Sequence, residues 1–326
     1  MDENLKTEMV FYYESRQNPN GDPGFENQPR LMPDDTIIVT DVRIKRTIRD
    51  YAKNTLKQTI FVDSNEDDEI VTADNRAKEL IGDLKSDVVL ALIEKTFDTP
   101  LFGCLVPIGK EKKENDSNEE GSSKENDSEE EGSSKKLTGP VQFGIGRSVN
   151  KVKVISPLIS GAFVGKEKKA KEQNRTFGKF YSVEYALIKI PGAINPTNLG
   201  NYRENKNVQK RFDETSAKLF ECLWNGTNSL ITRSKFPQRS VFYLEVTYKG
   251  VIYNDLSVLI EENEKMKGFT KGLCEKPFIF DKLISALEKR KNEINLIRVA
   301  ACEELSQDAK DLISKLKAKG IKAEEI

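Results

Sequence analysis

The chain has 326 residues, of which 37% are hydrophobic and 32% are charged, and its formal net charge is -1. This length allows one large or two modest globular domains with an ample core. No stretch reaches the roughly 20 apolar residues of a membrane span, and the N-terminus MDENLKTEMV lacks the apolar core of a secretory signal, so we expect a cytoplasmic protein without membrane contact.

Histidine is absent, and the four cysteines are widely spaced without a CxxC pair. The lack of histidine excludes Ser-His-Asp, Cys-His and His-Asp metal-nuclease chemistry for this chain acting alone. The cysteine spacing gives little support to a zinc site and favours reduced, mostly buried thiols. We therefore predict no cofactor, no metal site and no catalytic residue, although Asp, Glu, Lys and Tyr remain available for catalysis.

The first predicted strand, near Thr7 to Ser15, is followed by the turn-rich stretch QNPNGDPGFENQPR at residues 17–30. Three prolines and two glycines in this stretch exclude a helix or a central strand. A loop is therefore expected here. Beyond it, Thr40 is a plausible N-cap for a helix over Asp41 to Asn54.

This helix combines an apolar face with a basic one. Ile44, Ile48 and Tyr51 recur at helical spacing and predict the inward face. The cations are Arg43, Lys45, Arg46, Arg49 and Lys53, with Asp50 among them. Such a surface would attract phosphates, and an ordinary solvated helix face is the alternative.

Residues 111–136 form an acidic insert with ten acids and five lysines. It contains a tandem repeat, KENDSNEEGSS at 113–123 and KENDSEEEGSS at 124–134, without apolar residues. This composition predicts a disordered loop expansion on the outer surface. An acidic regulatory segment or a decoy for a basic partner is the alternative.

Two further segments are candidates for binding phosphate. In TGPVQFGIGRS (138–148), the three glycines leave backbone amides accessible, and Gln142, Arg147 and Ser148 add side-chain donors. The segment lacks the GxGxxG and GKS/T patterns of nucleotide pockets. The stretch GKEKKAKEQNRTFGKF (165–180) predicts a projecting basic hairpin or, alternatively, a flexible basic loop. Its cations are Lys166, Lys168, Lys169, Lys171, Arg175 and Lys179.

The remaining elements alternate between strands and helices. We predict strands over Tyr181 to Gly192 and Val241 to Tyr248, an amphipathic helix over Val208 to Trp224, and a mostly helical region from Pro277. This irregular alternation favours an α+β fold on a ferredoxin-like plan over a doubly wound parallel sheet.

Seven motifs, in order between residues 8 and 248, resemble the backbone subunit of type I-B CRISPR Cascade, the Csh-type branch of the seventh Cas family in the RAMP superfamily. The motifs are NPNGDP (18–23), QPR ending at Arg30, VTDVRIKRTIRDY (39–51), LFG (101–103), LTGPVQFGIGRS (137–148), FGKFYSVEYALIKIPGAIN (177–195) and LWNGTNSLITRSK (223–235). The acidic repeat departs from the family pattern, which has only a short link there.

The resemblance implies one RRM-like palm domain with insertions. These are a helical finger region at 58–100, the acidic loop at 111–136, a basic thumb hairpin at 156–180 and a C-terminal helical region at 277–326. It also implies that copies assemble head to tail along the spacer of a CRISPR RNA (crRNA) and present it to the target DNA strand. Further implied partners are the large subunit, the small subunit, the subunit that binds the repeat handle, and the processing endoribonuclease.

The resemblance also assigns RNA contacts by position. On the palm these are Arg43, Lys45, Arg46, Arg49, Gln142, Arg147 and Ser148, and in the thumb they are Lys166, Lys168, Lys169, Arg175 and Lys179. In the opening loop, Asn18, Asn20 and Arg30 would reach RNA or the next copy.

Catalysis is the rival class of function. Type III relatives cut target RNA with an acidic residue, which makes Asp22 and Asp41 the candidates for a metal-dependent ribonuclease. Each also has a simpler explanation, Asp22 as a turn former and Asp41 as a first-turn acid favoured by the helix dipole. The motifs favour a non-enzymatic subunit over this alternative. A metabolic α/β enzyme unrelated to these families is a third possibility.

Overall fold

The computed structural model describes residues 5–64, 70–84, 87–108, 133–160 and 177–326. The helices are α1 (Asp41–Asn54), α2 (Ala73–Ile81), α3 (Val88–Lys95), α4 (Thr99–Phe102), α5 (Lys206–Ser216), α6 (Leu219–Asn228), α7 (Leu256–Leu259), α8 (Asp281–Lys289) and α9 (Ser306–Ala318). The strands are β1 (Leu5–Ser15), β2 (Gly21–Asp22), β3 (Gln28–Leu31), β4 (Ile37–Val39), β5 (Gly103–Ile108), β6 (Ser133–Thr138), β7 (Val141–Phe143), β8 (Gly146–Ser148), β9 (Val154–Ile155), β10 (Leu158–Ser160), β11 (Phe177–Lys179), β12 (Ser182–Val183), β13 (Ala186–Ile194), β14 (Gln238–Lys249), β15 (Glu261–Glu262), β16 (Phe278–Ile279), β17 (Ile294–Ala301) and β18 (Ala323–Glu325).

The chain forms two compact units. The larger unit comprises residues 2–56, 141–196 and 217–326, and the smaller unit comprises residues 57–140 and 197–216. Within the described ranges, no helix combines the length and the apolar character needed to cross a membrane.

A 10-stranded sheet organises the larger unit, with the order β18-β17-β14-β1-β13-β8-β4-β3-β2 and with β7 paired to β13. Its central part follows the chain order β1, α1, β8, β13, α6, β14. The strands lie side by side as β14-β1-β13-β8 and pair antiparallel. This is the ferredoxin-like plan of two split βαβ halves. The predicted α+β class and ferredoxin-like arrangement are confirmed.

Strand β1 is buried on both faces, which explains the uninterrupted apolar run MVFYY. On one face, the Phe11 ring lies 6.2 Å from that of Trp224 in α6. On the other face, the Tyr12 ring lies 4.6 Å from that of Phe278 in β16. Helix α1 spans the predicted residues and begins at the predicted N-cap, where Thr40 Oγ1 accepts a hydrogen bond from the Arg43 amide.

The C-terminal region contains three strands, β16, β17 and β18, that the sequence interpretation missed. Helices α8 and α9 agree with the predicted helical region, but β17 between them pairs with β14 and with β18. The helical periodicity of α8 continues almost to the start of β17. The apolar residues of β17 do not alternate strictly, so its sequence lacks the usual pattern of a strand. Its conformation therefore depends on pairing with β14, which no local pattern encodes.

The predicted single helix over Val208 to Trp224 is wrong, because α5 ends at Ser216 and α6 begins at Leu219. Phe212 is buried in the smaller unit and Leu223 in the larger one. At the end of α5, the hydroxyls of Thr215 and Ser216 donate hydrogen bonds to backbone carbonyls of the same helix. Such bonds compete with regular helix propagation and mark the break.

The smaller unit contains an antiparallel hairpin of β5 and β6, paired from Gly103↔Thr138 to Ile108↔Ser133. Residues 133–136, predicted as the end of the disordered acidic loop, are therefore part of a strand. Residues 133–136 pair with the apolar strand β5, and their own polar composition does not indicate this pairing. The tandem repeat lies outside the described residues, apart from its last two serines, Ser133 and Ser134.

Gly139 has a packing role instead of the open backbone that its motif suggested. A Cβ atom at Gly139 would lie 2.1 Å from the carbonyl carbon of Phe102 and 2.4 Å from the amide nitrogen of Gly103. Gly103 itself has φ +79°, a conformation that favours glycine. The two glycines therefore allow two backbone segments to touch at the start of the hairpin.

Replacing Gly139 with alanine should destabilise the smaller unit, because backbone atoms cannot move aside for the new methyl group. We expect the free energy of unfolding to fall by about 1–3 kcal/mol, measured by urea denaturation with circular dichroism. Gly268→Ala is the matched control, since a Cβ there meets nothing within 4 Å. Equal unfolding midpoints for the two variants would show that the close approach is not required.

Candidate nucleic-acid interface

The opening loop is fixed to the start of α1 through Asn20. Asn20 Oδ1 accepts hydrogen bonds from the amide of Thr40 at 2.8 Å and from its hydroxyl at 2.9 Å. Thr40 is the N-cap of α1. Both side-chain bonds therefore connect the turn-rich loop to the residue that sets where the basic helix begins.

Asn18 and Arg30 are also held by contacts inside the loop region. Asn18 is buried, and its side-chain amide donates to the carbonyl of Asn27. Arg30 forms an ion pair with Asp22 at 2.9 Å, and the Asp22 carboxylate also accepts from the Gly24 amide at 3.0 Å. These two predicted RNA contacts therefore stabilise the loop in this structure.

The cations of α1 differ in exposure. Arg46 is exposed and pairs with Asp50 at 2.6 Å, whereas Arg49 is buried with only 8% of its surface accessible. Arg43 is half-buried and donates to the Thr47 hydroxyl at 2.9 Å, and burial lowers the pKa of its guanidinium. The predicted basic stripe therefore offers Arg43 and Arg46 to solvent, but not Arg49.

Lys45 connects α1 to the glycine-rich motif. Its ammonium lies 3.2 Å from Asp41 and 3.5 Å from Gln142 Oε1. Gln142 is exposed in β7, so the structure brings together Lys45 and Gln142, which the resemblance names separately as RNA contacts.

Arg147 and Ser148 do not join this group. Arg147 pairs in register with Lys189, which is opposite Tyr12 in β1, so Arg147 belongs to the sheet face turned away from α6. There it lines a cleft of ≈ 580 Å³ with Lys189 and forms an ion pair with Asp34.

Ser148 is buried, and its hydroxyl is engaged within the sheet. Its oxygen accepts from the Ile37 amide at 3.0 Å, and the hydroxyl donates to the Asn150 carbonyl at 2.8 Å. Its role in this structure is to join β8 to β4.

At the base of the predicted thumb, Lys179 and Tyr181 both contact Glu26 of the opening loop, at 3.1 Å and 2.8 Å. The hydrogen bond from Tyr181 and then that from Lys179 lower the pKa of Glu26. The other predicted thumb contacts, Lys166, Lys168, Lys169 and Arg175, lie outside the described residues.

Two cations that the sequence interpretation did not single out lie beside these groups. Lys235 donates from Nζ to the Asn18 carbonyl at 2.8 Å. The Arg233 guanidinium lies 5.5 Å from the centre of the Phe180 ring. Burial, followed by repulsion from Arg43, lowers the pKa of Lys235 to about 8. Arg233 and Lys235 both lie in the motif LWNGTNSLITRSK. Its cationic ending, TRSK, was the sequence signal that could have indicated them as candidate RNA contacts.

The described residues contain no group of three or more Cys, Asp or Glu side chains arranged to hold a metal ion. The candidate interface consists of α1 residues 43–46, Gln142, the thumb base 179–181 and the segment 233–235, arranged around the opening loop. Cations predominate on it, and an aromatic ring lies beside Arg233. Such a surface binds phosphates by charge and a nucleobase by stacking.

Comparison with known proteins assigns the chain to a family. The family model described as "CRISPR-associated protein Cas7" matches residues 5–271. The chain belongs to the Cas7 family. A Cas7 protein of Haloferax volcanii is 25% identical over 319 residues, covering 94% of this chain and 89% of that protein.

A solved structure shares the fold of this chain. A chain of a "CRISPR RNA-guided surveillance complex, pre-nicking" superposes with a TM-score of 0.53 at 10% sequence identity, covering 98% of this chain and 96% of that one. At this identity the likeness concerns the fold alone.

Asn20→Ala should destabilise the larger unit, because it leaves the Thr40 amide without its side-chain acceptor. We expect a loss of about 1–3 kcal/mol, measured by urea unfolding. The fluorescence of Trp224, the single tryptophan, reports on this unit. The exposed Asn292 provides the control Asn292→Ala. An unchanged midpoint for Asn20→Ala would show that the loop does not hold the helix N-terminus.

Proposed function

We propose that this Cas7-family chain is a crRNA-binding backbone subunit of a type I-B CRISPR surveillance complex. Copies of it polymerise along the spacer of the crRNA and present that spacer for pairing with a target DNA strand. Their partners are the crRNA, further copies of the chain and the other Cascade subunits. The observation that carries this proposal is the candidate interface, on which cations from three chain segments converge around a fixed loop.

The chemistry of the interface suits an RNA whose sequence varies. Lysine and arginine side chains bind phosphate without selecting a base, and stacking of a base on an aromatic ring tolerates every base. Recognition of the target is then left to base pairing between the guide and the target strand. A backbone subunit needs this division of labour because each guide has a different spacer.

Assembly along RNA requires a surface that repeats from copy to copy. A head-to-tail interface that does not close on itself produces a filament. We propose residues 58–100 as the finger and residues 156–180 as the thumb of this repeating unit, as the sequence resemblance implies. The 11-residue acidic repeat would repel phosphate, so we place it away from the RNA.

Lys45→Ala combined with Arg46→Ala should weaken binding of the chain to single-stranded RNA and reduce its salt dependence. Each lost phosphate contact lowers the slope of log K against log salt by about 0.7, so the double variant should lose about 1.4. The measurement is fluorescence anisotropy with labelled RNA over a range of salt concentrations.

Lys310→Ala with Lys317→Ala is the matched control for this experiment. Both lysines are exposed on α9, and the pair removes the same formal charge. Equal slopes for the two double variants would mean that α1 does not lie on the RNA path. Loss of affinity without a change of slope would point to a structural defect in the variant.

A metal-dependent ribonuclease of the same superfamily is the second candidate. The two acids considered for this role have other partners: Asp22 pairs with Arg30 and caps a turn, and Asp41 pairs with Lys45. These contacts favour structural roles for both carboxylates, and therefore favour the non-catalytic proposal.

The purified assembly should leave labelled complementary RNA intact in the presence of magnesium. The measurement is gel electrophoresis over an extended incubation, with Asp22→Ala and Asp41→Ala assemblies run in parallel. Specific products that disappear in either variant would establish the ribonuclease instead. Products that persist in both variants would indicate a contaminating nuclease.

A further inference from the structure

The opening loop carries an acid that contacts the base of the predicted thumb. Strands β2 and β3 pair antiparallel as a hairpin, and Glu26 lies in its connecting turn. Glu26 Oε2 accepts one hydrogen bond from Lys179 Nζ at 3.1 Å and another from the Tyr181 hydroxyl at 2.8 Å. Two donors from a segment distant in sequence therefore converge on one carboxylate oxygen.

The two donors are of kinds that bind the phosphates of nucleic acids. Lysine ammonium and tyrosine hydroxyl groups both donate hydrogen bonds to phosphate oxygens. In this structure a carboxylate oxygen takes the place that a phosphate oxygen would have between them. The hydrogen bond from Tyr181, followed by that from Lys179, lowers the pKa of Glu26, so the carboxylate is ionised at neutral pH.

The backbone of the turn holds Glu26 in an uncommon conformation. Glu26 and Asn27 have φ values of +50° and +58°, which asparagine tolerates better than glutamate. The Asn27 amide donates to the Asp22 carbonyl at 2.8 Å, and the Asn18 side chain donates to the Asn27 carbonyl. The turn itself does not explain a glutamate at this position, and strained backbone of this kind is common at functional sites.

The contact between Glu26 and the thumb base is open to competing anions. The side chains of Lys179 and Glu26 are 58% and 60% exposed. An ion pair at that exposure is weakened by water, so it contributes little net stability. A phosphate held at the same time by other cations of the candidate interface therefore needs little additional free energy to displace the carboxylate.

We infer that Glu26 is an internal substitute for a phosphate at the thumb base, and that bound RNA displaces it from Lys179 and Tyr181. The inference rests on the proposed function, because it takes the displacing anion to be a phosphodiester of RNA. The contact is therefore autoinhibitory, since each copy must break it before Lys179 and Tyr181 can contact RNA. Glu26 thus lowers the affinity of every copy for RNA while leaving the donors arranged around an anionic oxygen.

Glu26→Gln should bind single-stranded RNA about threefold more tightly than the wild type, because a neutral amide holds Lys179 less strongly than a carboxylate does. The slope of log K against log salt should become steeper by about 0.7, because one more cation is available to neutralise a phosphate. The measurement is fluorescence anisotropy with labelled RNA over a range of salt concentrations. Glu26→Gly should show the same two changes, and glycine accepts the positive φ at this position without strain.

Glu288→Gln is the matched control. Glu288 on α8 pairs with Lys319 at 3.0 Å, and both side chains are partly exposed, so the variant removes the same charge from a similar ion pair. Helix α8 contributes Leu283 and Leu287 to the core that contains Tyr12, on the sheet face away from α6. This variant should keep the wild-type affinity and slope.

A double-mutant cycle separates displacement at the thumb base from general repulsion of RNA by Glu26. In a chain that carries Lys179→Met and Tyr181→Phe, Glu26 has lost both donors, so Glu26→Gln should change neither affinity nor slope. An equal gain in both backgrounds would overturn the inference, because Glu26 would then repel RNA without contacting the thumb base.

Two further results distinguish the inference from the proposed function. Weaker or unchanged RNA binding by both Glu26→Gln and Glu26→Gly would overturn the autoinhibitory contact while leaving the RNA-binding function intact. Absence of RNA binding by the wild type and by both variants would instead overturn the proposed function, and the inference with it.

Discussion

The burial of β1 on both faces is the constraint on which the larger unit depends. A strand with alternating exposure needs one covering layer, whereas residues 9–13 need two. One layer comes from α1 and α6, and Phe11 packs against the Trp224 ring of α6. The other comes from the C-terminal part of the chain, where Tyr12 packs against Phe278. Burial of β1 therefore ties together residues that are more than 200 positions apart.

This constraint also determines where α1 can lie. The helix must keep Ile44 and Ile48 against the sheet, which fixes its rotation and leaves Arg46 on the outer side. Asn20 then fixes the start of the helix through Thr40. The opening loop and the apolar face thus fix different properties of one helix, its starting point and its rotation. Together they preorganise the cations of the candidate interface.

Local patterns predicted those parts of the fold that local chemistry determines. The N-cap at Thr40 and the apolar spacing of Ile44 and Ile48 were enough to give both ends of α1 correctly. They could not show β17, because its conformation depends on pairing with β14, more than 40 residues earlier. They also could not show the break between α5 and α6, because the apolar register continues across it while the two helices bury their side chains in different units.

The candidate site shows the same limit at the level of single side chains. Helical spacing placed Arg43, Arg46 and Arg49 in one stripe, yet Arg49 is buried and Arg46 is exposed. Charge alone did not distinguish Arg147 from the cations of the candidate interface. Arg147 lies on the sheet face turned away from α6. The TRSK ending marks Lys235 as a cation, but no local pattern shows that its ammonium donates to the Asn18 carbonyl, which is distant in sequence.

The internal ion pairs of α1 have a consequence for how the proposed filament would bind RNA. Asp41 and Asp50 partly neutralise Lys45 and Arg46, so each phosphate contact must compete with an acid on the same helix. A single copy would therefore gain little free energy from each contact. Copies joined head to tail on one strand act as a multivalent ligand, in which each bound copy raises the effective concentration of RNA for the next. Weak contacts per copy with strong binding overall would favour continuous filaments over scattered single subunits.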